Sequence, residues 1–555
     1  MTCLFYHPEA YTTSGPKLMG RNAAGESFLQ GFLQYSRSEQ FAVQVMDREH
    51  AQSFAYMATK LGRKEPVSII DKANLSDLQS HGVVYHPGPG IGKHSRQRSF
   101  WGHDRWSLCG ITHTTSSARS MDSITQLITA AVQPWDALIC TSSAVKQNVQ
   151  FLLDQEAENL EKRIGASRMV LPQLPVIPLG IHTEDFVFDA AERAAARQAL
   201  AIDDGALVVM FMGRLSFHAK AHPLPMYLAL EEAARRTGMS VVLIECGWHG
   251  NDAIAQAFDV GSAILCPSVR TITLDGRKSE ERAKAWGAAD VFCSLSDNIQ
   301  ETFGISPIEA MAAGLPVVVS DWDGYKDTVR DGIDGFRVPT IMPRGGLGVD
   351  LALRHALEID TYDMYIGHAC SLTSVDVEAT TTAFTELFES EELRRKMGAA
   401  GRARAREIYD WAQIIPEYES LWTELNEARK RAGYEKKGAS TWPARPDPFA
   451  AFASYPTQIL SEDTVLSSAT SDLEELCARV ETIRSLAMVN FAKLVLPSPD
   501  EVRLVLSQAV NGRSRAVELV QGVAPERRAH VFRALGWLLK IGALRTIEIP
   551  NSKMS

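Results

Sequence analysis

The sequence of 555 residues lacks several features that mark common protein classes. It contains no stretch of about 18 apolar residues, so we expect no transmembrane helix. Its first residues carry neither a basic region nor a long apolar core, so we expect no signal peptide. None of the eight cysteines forms a C-x-x-C pair, and most lie in apolar runs, which favours buried, reduced thiols. We therefore expect a cytoplasmic protein and leave a peripheral association with the membrane open.

An excess of positive charge is also missing. Lys and Arg number 57 against 67 Asp and Glu, which gives a formal net charge of −10. This balance argues against nonspecific nucleic-acid binding by the whole chain. Hydrophobic residues make up 45% and charged residues 22%, as in ordinary globular proteins. The length suggests three or four domain-sized units.

The most informative stretch covers residues 290–324. Val291 to Leu295 is an apolar run too short for a helix, which predicts a buried strand. Pro307 suits the first turn of a following helix, and Gly314 ends that helix. Val317 to Val319 predicts the next buried strand. The order strand, loop, helix, strand is one unit of a parallel sheet.

Two glutamates mark the helix of this unit. Glu301 precedes the helix and Glu309 lies inside it, while the amides of Phe303, Gly304 and Ile305 would point out of its N-terminus. Such a terminus after a parallel strand binds anions, whereas an ionised carboxylate accepts hydrogen bonds from sugar hydroxyls. Together they suggest a ligand with both phosphate and sugar. The alternative is an ordinary helix start, where the dipole favours acidic residues.

Two cations follow another predicted strand, Val208 to Met212. Arg214 comes directly after Gly213, and Lys220 follows six residues later. An arginine and a lysine at the carboxyl end of a central strand suit a diphosphate. The alternative is two cations on a solvated loop.

The N-terminal half carries three weaker signals. Gly20 and Gly25 predict a glycine loop before the first long helix, where a doubly wound domain approaches phosphates, although a plain helix start fits equally well. His113 ends a predicted strand, and a lone histidine there is usually structural. Residues 86–98 are predicted to be a polar surface loop that could contact an anionic acceptor. The charged or titratable residues of that loop are His86, Lys93, His94, Arg96 and Arg98.

Residues 301–318 read Glu-Thr-Phe-Gly-Ile-Ser-Pro-Ile-Glu-Ala-Met-Ala-Ala-Gly-Leu-Pro-Val-Val. This run resembles the signature of retaining glycosyltransferase family 4, which has the GT-B fold, and the resemblance covers roughly residues 1–432. It implies an α/β protein with two doubly wound, Rossmann-like domains facing a cleft. A nucleotide-diphosphate sugar would bind the second domain, and its sugar would pass, with retention of configuration, to an acceptor held mainly by the first.

The resemblance also implies roles for single residues. Glu309 would hold the ribose, and Glu301 with the amides of Phe303, Gly304 and Ile305 would hold the sugar hydroxyls. Arg214 and Lys220 would stabilise the leaving diphosphate. His113 would lie close to the transferred sugar, and Gly20 and Gly25 near the donor. The sequence departs from the family in having Gly20-Arg21 for the usual Gly-Gly pair and Ala221 for a usual glycine after the lysine.

We expect no protein nucleophile, no cofactor and no metal requirement. Asp321-Trp322-Asp323 imitates the D-x-D metal motif of a different glycosyltransferase fold. Three rival functions remain: a hydrolase with paired carboxylates, a nucleotide-sugar epimerase of similar fold, and a non-catalytic GT-B scaffold. The sequence identifies neither the sugar, the base nor the acceptor.

The predicted organisation has five parts. Residues 1–185 form the acceptor-side domain, 186–409 the nucleotide-sugar domain, and 410–432 a closing helix that returns to the first domain. Residues 433–456 form a proline-rich linker. Residues 457–555 form a mainly helical module, weakly similar to a winged helix, for which we favour a protein partner over nucleic acid.

Two further segments of the second domain are notable. Ala263 to Cys266 is predicted to be another strand. Residues 342–375 form an insertion, to which the sequence assigns no function.

Overall fold

The computed structural model describes residues 2–13, 20–433 and 442–547. The chain divides into two compact units, Met1–Ser440 and Thr441–Ser555. The division falls within the predicted linker, of which residues 434–441 lie outside the described part, as do residues 548–555 of the predicted C-terminal module. No helix among the described residues has the length and apolarity needed to cross a membrane.

The first domain of the large unit is built on a six-stranded parallel sheet in the order β3-β2-β1-β4-β5-β6. The order reverses between β1 and β4, and ligands of such folds bind outside the carboxyl ends of the strands near this reversal. The strands are β1 (Thr2–Phe5), β2 (Phe41–Gln44), β3 (Val67–Ile70), β4 (Val83–Tyr85), β5 (Ser107–Ile111) and β6 (Ala137–Ile139). The helices are α1 (Pro8–Tyr11), α2 (Gly20–Tyr35), α3 (Arg48–Lys60), α4 (Ile91–Arg98), α5 (Ala118–Thr125) and α6 (Ser143–Ile164).

The second domain repeats this plan with the sheet order β12-β11-β10-β7-β8-β9, again all parallel. Its reversal lies between β7 and β10, so the loops after these two strands meet at one edge. The strands are β7 (Leu207–Met212), β8 (Val241–Gly247), β9 (Arg270–Asp275), β10 (Val291–Ser294), β11 (Val317–Ser320) and β12 (Gly335–Val338). The helices are α7 (Ala190–Ala199), α8 (Leu224–Thr237), α9 (Asp252–Leu265), α10 (Ser279–Ala288), α11 (Ile305–Ala312) and α12 (Tyr325–Thr328).

These two sheets confirm the predicted α/β fold of two doubly wound domains. Two local predictions are wrong. Ala263 to Cys266 is not a strand but the end of α9, because a short apolar run alone does not distinguish strand from helix. Residues 91–98 form α4 rather than a loop, and Arg98 is fully buried in an ion pair with Asp136.

The insertion leaves and re-enters the second domain at one point. Strand β13 (Thr340–Ile341) directly precedes it. The insertion contains α13 (Val349–Ala356) and α14 (Tyr362–Ser371) and ends with β14 (Ser374–Val375), which pairs antiparallel with β13. Helix α14 packs on the second domain: a Cβ on Gly367 would lie only 2.9 Å from the Cβ of His218. Helix α13 has no buried residue.

Three helices close the large unit: α15 (Val377–Glu389), α16 (Glu391–Arg404) and α17 (Trp411–Arg431). Helix α17 packs on the first domain, where the indole of Trp411 donates a 2.7 Å hydrogen bond to Ser27 Oγ. Trp411 is fully buried against Gly31 and Gly180, and an added Cβ on either glycine would lie within 2.6 Å of the indole. Only glycine permits this approach.

The small unit has its own apolar core, formed mainly by leucines and valines. A three-stranded antiparallel sheet of order β16-β15-β17 packs with several helices. The strands are β15 (Val465–Ser468), β16 (Ser514–Arg515) and β17 (Leu544–Thr546). The helices are α18 (Pro448–Ala451), α19 (Leu473–Ser485), α20 (Ala487–Asn490), α21 (Pro499–Ala509), α22 (Ala516–Leu519) and α23 (Arg528–Lys540). The likeness to a winged helix stays a prediction.

Candidate active site

The loops after β7 and β10 bring the predicted cations to the predicted acid. Lys220 forms an ion pair with Glu301, whose side chain is only 10% exposed. Arg214 Nη2 donates to the carbonyl of Ala219 at 2.7 Å and to Gln300 Oε1 at 3.0 Å. The other N–H groups of this guanidinium donate to no acceptor within the described residues. A fixed but unsaturated guanidinium beside a lysine can receive phosphate oxygens.

Glu301 is ionised at neutral pH. Burial alone would raise the pKa of its carboxyl, but the charge of Lys220 and hydrogen bonds from the amides of Thr302 and Phe303 outweigh burial and lower it. An ionised carboxylate can only accept hydrogen bonds. Glu301 is therefore suited to hold hydroxyl groups.

The N-terminus of α11 lies next to Glu301. Gly304 caps this helix with φ of +86°, and an added Cβ would lie 1.9 Å from the ring of Tyr325, so the position requires glycine. The amides of Gly304 and Ile305 donate to no acceptor in the described part of the chain. The positive end of the helix dipole is thus open to an anion. Phe303 itself is buried and packs edge-on against Tyr409, so only its backbone can serve the site.

Glu309 lies one turn into α11 and is partly buried. Burial raises the pKa of its carboxyl to about 7, opposed only by the charge of Arg282. No hydrogen-bond donor among the described residues reaches its carboxylate. A carboxyl held in this way is ready to accept hydrogen bonds from a ligand.

His113 reaches this site from the first domain, in the turn that follows β5. Its carbonyl accepts a 2.6 Å hydrogen bond from the hydroxyl of Thr302, the neighbour of Glu301. Burial lowers the pKa of His113 to about 4, with a hydrogen bond to the carbonyl of Pro87 opposing and the charge of Arg21 adding to the decrease. The imidazole is therefore neutral at pH 7 and can exchange hydrogen bonds without carrying charge.

The two predicted glycines differ in position. Helix α2 begins at Gly20, which is exposed, so Gly25 is a helical residue rather than part of a loop. The missing side chain of Gly25 admits the carbonyl of Ala10, which would lie 1.9 Å from a Cβ. Gly25 nevertheless lines the same small cavity as His113. Residues 14–19, between α1 and α2, lie outside the described part, and the donor contacts of Gly20 and Gly25 stay a prediction.

The Asp321-Trp322-Asp323 motif is engaged in protein contacts. Asp321 lies 3.5 Å from Arg337, and Asp323 Oδ1 lies 3.3 Å from Ser142 Oγ of the first domain. Burial, with the nearby charge of Glu301, raises the pKa of Asp323 well above its usual range. In the described ranges, no three His, Cys, Asp or Glu side chains converge as metal ligands would.

The residues that the sequence did not indicate are Gln300, Tyr362 and Ser116. Gln300 directly precedes the motif that begins at Glu301, so this position was a usable signal. Tyr362 comes from the insertion, where no local pattern points to the cleft. Its hydroxyl lies 3.0 Å from Gln300 Nε2 and 2.9 Å from Ser116 Oγ of the first domain.

The two six-stranded parallel sheets with their helices give the chain the GT-B fold. Residues 192–341 match the model of the family "Glycosyl transferases group 1". The chain is 28% identical over 243 residues to a D-inositol 3-phosphate glycosyltransferase of Nocardia farcinica, covering 42% of this chain and 51% of the relative. It is 33% identical over 147 residues to a phosphatidyl-myo-inositol mannosyltransferase of Mycobacterium leprae, covering 26% and 29%.

A solved structure extends the likeness of the fold. Anabaena Alr3699/HepE in complex with UDP superposes with a TM-score of 0.50 at 15% identity, covering 76% of this chain and 99% of that protein. The chain spans about half the length of the curated glycosyltransferases that it matches over 243 to 245 residues.

Proposed function

We propose that this protein is a retaining glycosyltransferase that moves a sugar from a nucleotide-diphosphate sugar to an acceptor held mainly by the first domain. The observation that carries this proposal is the convergence of opposite chemistries at one sheet edge. Lys220 lies there beside the ionised Glu301, and Arg214 is bonded to the neighbouring Gln300. Helix α11 begins just after Glu301 and carries Glu309, whose carboxyl receives no hydrogen bond from the described residues. The cations Arg214 and Lys220 suit a diphosphate, and the carboxylates suit the hydroxyl groups of the sugar and the ribose.

Lys220 can serve two partners. Its ammonium group has three N–H donors, so the ion pair with Glu301 leaves two for phosphate oxygens. The donor would then lie with its diphosphate between Arg214 and Lys220 and its sugar hydroxyls at Glu301. Glu309 would accept hydrogen bonds from the ribose. The neutral imidazole of His113 would face the sugar from the first domain.

In the transfer step, the bond between the anomeric carbon and the phosphate oxygen breaks, and the acceptor oxygen bonds to the same face of the sugar. The acceptor proton passes to the leaving phosphate. Negative charge grows on that phosphate, and Arg214 with Lys220 stabilises it more strongly there than in the bound donor. No protein nucleophile and no metal ion enters this scheme.

We also propose that the protein acts in the cytoplasm, which is a reducing compartment. All eight cysteines are free, and seven of them are buried. Free thiols in this number are typical of intracellular proteins.

The test begins with a thermal-shift screen of nucleotides and nucleotide sugars. UDP is the first to try, because UDP is present in the Anabaena structure of the same fold. A ligand at a hundred times its dissociation constant stabilises the folded state by about 2.7 kcal/mol. Labelled donor is then incubated with an acceptor panel that includes inositol phosphates, and NMR determines the anomeric configuration of the product.

We expect a glycosylated acceptor with the donor's configuration, and transfer about 100-fold slower in Glu301→Gln. An inverted product would contradict retention. Epimerised sugar formed without acceptor would assign the site to an epimerase. No stabilisation by any nucleotide would favour a non-catalytic scaffold.

A further inference from the structure

The insertion of residues 342–375 delivers one hydroxyl group to the cleft. Tyr362, the first residue of α14, lies 3.0 Å from Gln300 Nε2 of the second domain and 2.9 Å from Ser116 Oγ of the first. Gln300 Oε1 in turn accepts from Arg214 at 3.0 Å, and Ser116 Oγ lies 3.1 Å from Thr114 Oγ1. A continuous chain of hydrogen bonds therefore joins Arg214 to the turn that follows His113.

The direction of each bond follows from the donor inventory. A guanidinium only donates, so the oxygen of the Gln300 amide must face Arg214 and its NH₂ group must face Tyr362. The Tyr362 oxygen then accepts from Gln300, which leaves its single proton for Ser116 Oγ. Ser116 can in turn donate a hydrogen bond to Thr114 Oγ1. Arg214 thus fixes the orientation of the Gln300 amide, and the three hydroxyl groups can complete the chain with their ordinary donors and acceptors.

Helix α14 is held firmly where this chain requires it. Gly367 permits close contact with His218, and Cys370 Sγ donates to Asp297 Oδ1 at 3.0 Å. Both contacts lie on segments that flank Lys220 and Glu301. The hydroxyl of Tyr362 is thus positioned by the same loops that carry the proposed diphosphate and sugar contacts.

We propose that Tyr362 is a positioning residue, which aligns Arg214 for the leaving diphosphate through a hydrogen-bonded link between Gln300 of the second domain and Ser116 of the first. This inference rests on the proposed function. Tyr362 touches neither proposed substrate; it acts through Gln300. Without the Tyr362 hydroxyl, the NH₂ group of Gln300 loses its acceptor, and the amide that accepts from Arg214 is held less firmly.

The test compares two phenylalanine variants of the same helix. Tyr362→Phe removes only the bridging hydroxyl. Tyr365→Phe is the matched control, because Tyr365 stacks on His355 and its hydroxyl makes no hydrogen bond within the described residues. We expect kcat for transfer to fall about tenfold in Tyr362→Phe, as for the loss of one or two hydrogen bonds, and to stay within twofold in Tyr365→Phe.

A double variant separates positioning from general stability. Because Tyr362 acts through Gln300, Tyr362→Phe combined with Gln300→Ala should lose about as much rate as the worse single variant. If the double variant instead lost rate by the product of the two single fold-losses, the two residues would act independently and the inference would be overturned.

Hydrogen exchange provides a readout that needs no activity. Peptides covering residues 112–118 should exchange faster in Tyr362→Phe than in the wild type or Tyr365→Phe. Equal exchange and equal rates in the two variants would overturn the inference. A wild type that transfers no sugar would instead refute the proposed function, while faster exchange confined to Tyr362→Phe would still support the hydrogen-bonded link between the domains.

Discussion

The hydroxyl of Thr302 donates a 2.6 Å hydrogen bond to the carbonyl of His113. This bond joins the loop after β10 to the end of β5, and so places the backbone of His113 beside the residue that follows Glu301. The carbonyl of Thr302 also accepts from Ser142 Oγ at 2.8 Å. One threonine therefore contacts two segments of the first domain, and the position of Glu301 depends on both domains.

The two glutamates should affect different steps. Glu301→Gln should lower kcat about 100-fold, because it removes the carboxylate proposed to contact the reacting sugar, while the affinity for free UDP changes little. Glu309→Ala should weaken UDP binding about tenfold or more, since hydrogen bonds to a charged group contribute about 1.5–3 kcal/mol. Transfer assays measure kcat, and calorimetric titration with UDP measures the affinity of both variants. The control is Glu280→Ala, at an exposed position of α10. Unchanged UDP affinity in Glu309→Ala would make the ribose assignment wrong.

The raised pKa of Glu309 predicts a pH-dependent stability difference. Its folded-state pKa is about 7 against an ordinary 4.5, so the folded protein binds an extra proton between these values and loses stability as pH rises through this window. The wild type should therefore lose about 1–3 kcal/mol relative to Glu309→Gln between pH 4.5 and 8. Melting temperatures of both proteins at pH 5 and pH 8 check this. A difference that does not change with pH would contradict burial of an ionisable group there.

Transfer should not need a divalent metal ion. Arg214 and Lys220 already supply positive charge for the diphosphate, and Asp321 and Asp323 are engaged with Arg337 and Ser142. We expect full activity in excess EDTA. Complete loss that Mn²⁺ or Mg²⁺ restores would assign a metal site to the Asp321-Trp322-Asp323 motif after all.

The buried ion pair of Arg98 and Asp136 should be essential for stability. Both side chains are fully buried, at 2.6 Å, and Asp136 also accepts from the amides of Leu108 and Gln133. Asp136→Asn leaves the guanidinium without its counter-charge and should cost about 3–5 kcal/mol. The control is Glu378→Gln, whose pair with Arg236 is largely exposed and should contribute less than about 1 kcal/mol. Thermal unfolding of both variants compares them, and equal melting temperatures would contradict the distinction.

The small unit should be dispensable for the chemistry. A protein that ends at Arg431 keeps α17 and all the proposed donor residues, and the small unit has a core of its own. The truncated protein should stay folded and act on a small acceptor at a near-native rate. We expect it to lose recruitment to a protein partner or macromolecular acceptor. An equal loss on small and native acceptors would show that the two units act as one catalytic body.

Sequence patterns predicted the parallel sheets because their buried strands are short apolar runs bounded by glycine, proline and polar turns. Arg214, Lys220, Glu301 and His113 could be placed at strand ends for the same reason, since the carboxyl ends of parallel strands meet at one edge. Burial of a charged side chain leaves no such pattern. Arg98 was predicted to lie on a surface loop because its partner, Asp136, is 38 residues away.

The position of Tyr362 in the cleft is a second feature that the sequence could not predict. It reaches the cleft through packing of α14 on the second domain, a tertiary contact that neither local propensity nor periodicity encodes. The neighbouring Tyr365 has an equally unremarkable sequence context and stacks on His355 instead. Only the position of each side chain on the folded helix distinguishes the two tyrosines.

The pairing of β13 with β14 brings the two ends of the insertion together, Thr340 opposite Val375. A segment whose ends meet can be exchanged as a cassette, because the flanking β12 and α15 need not move when it is replaced. The large unit can therefore gain or lose the Tyr362 hydroxyl without altering either parallel sheet. Grafting the segment onto another GT-B scaffold, or trimming it to a short turn between Thr340 and Val375, becomes a practical way to vary the link between the two domains without substituting Arg214, Lys220 or Glu301 themselves.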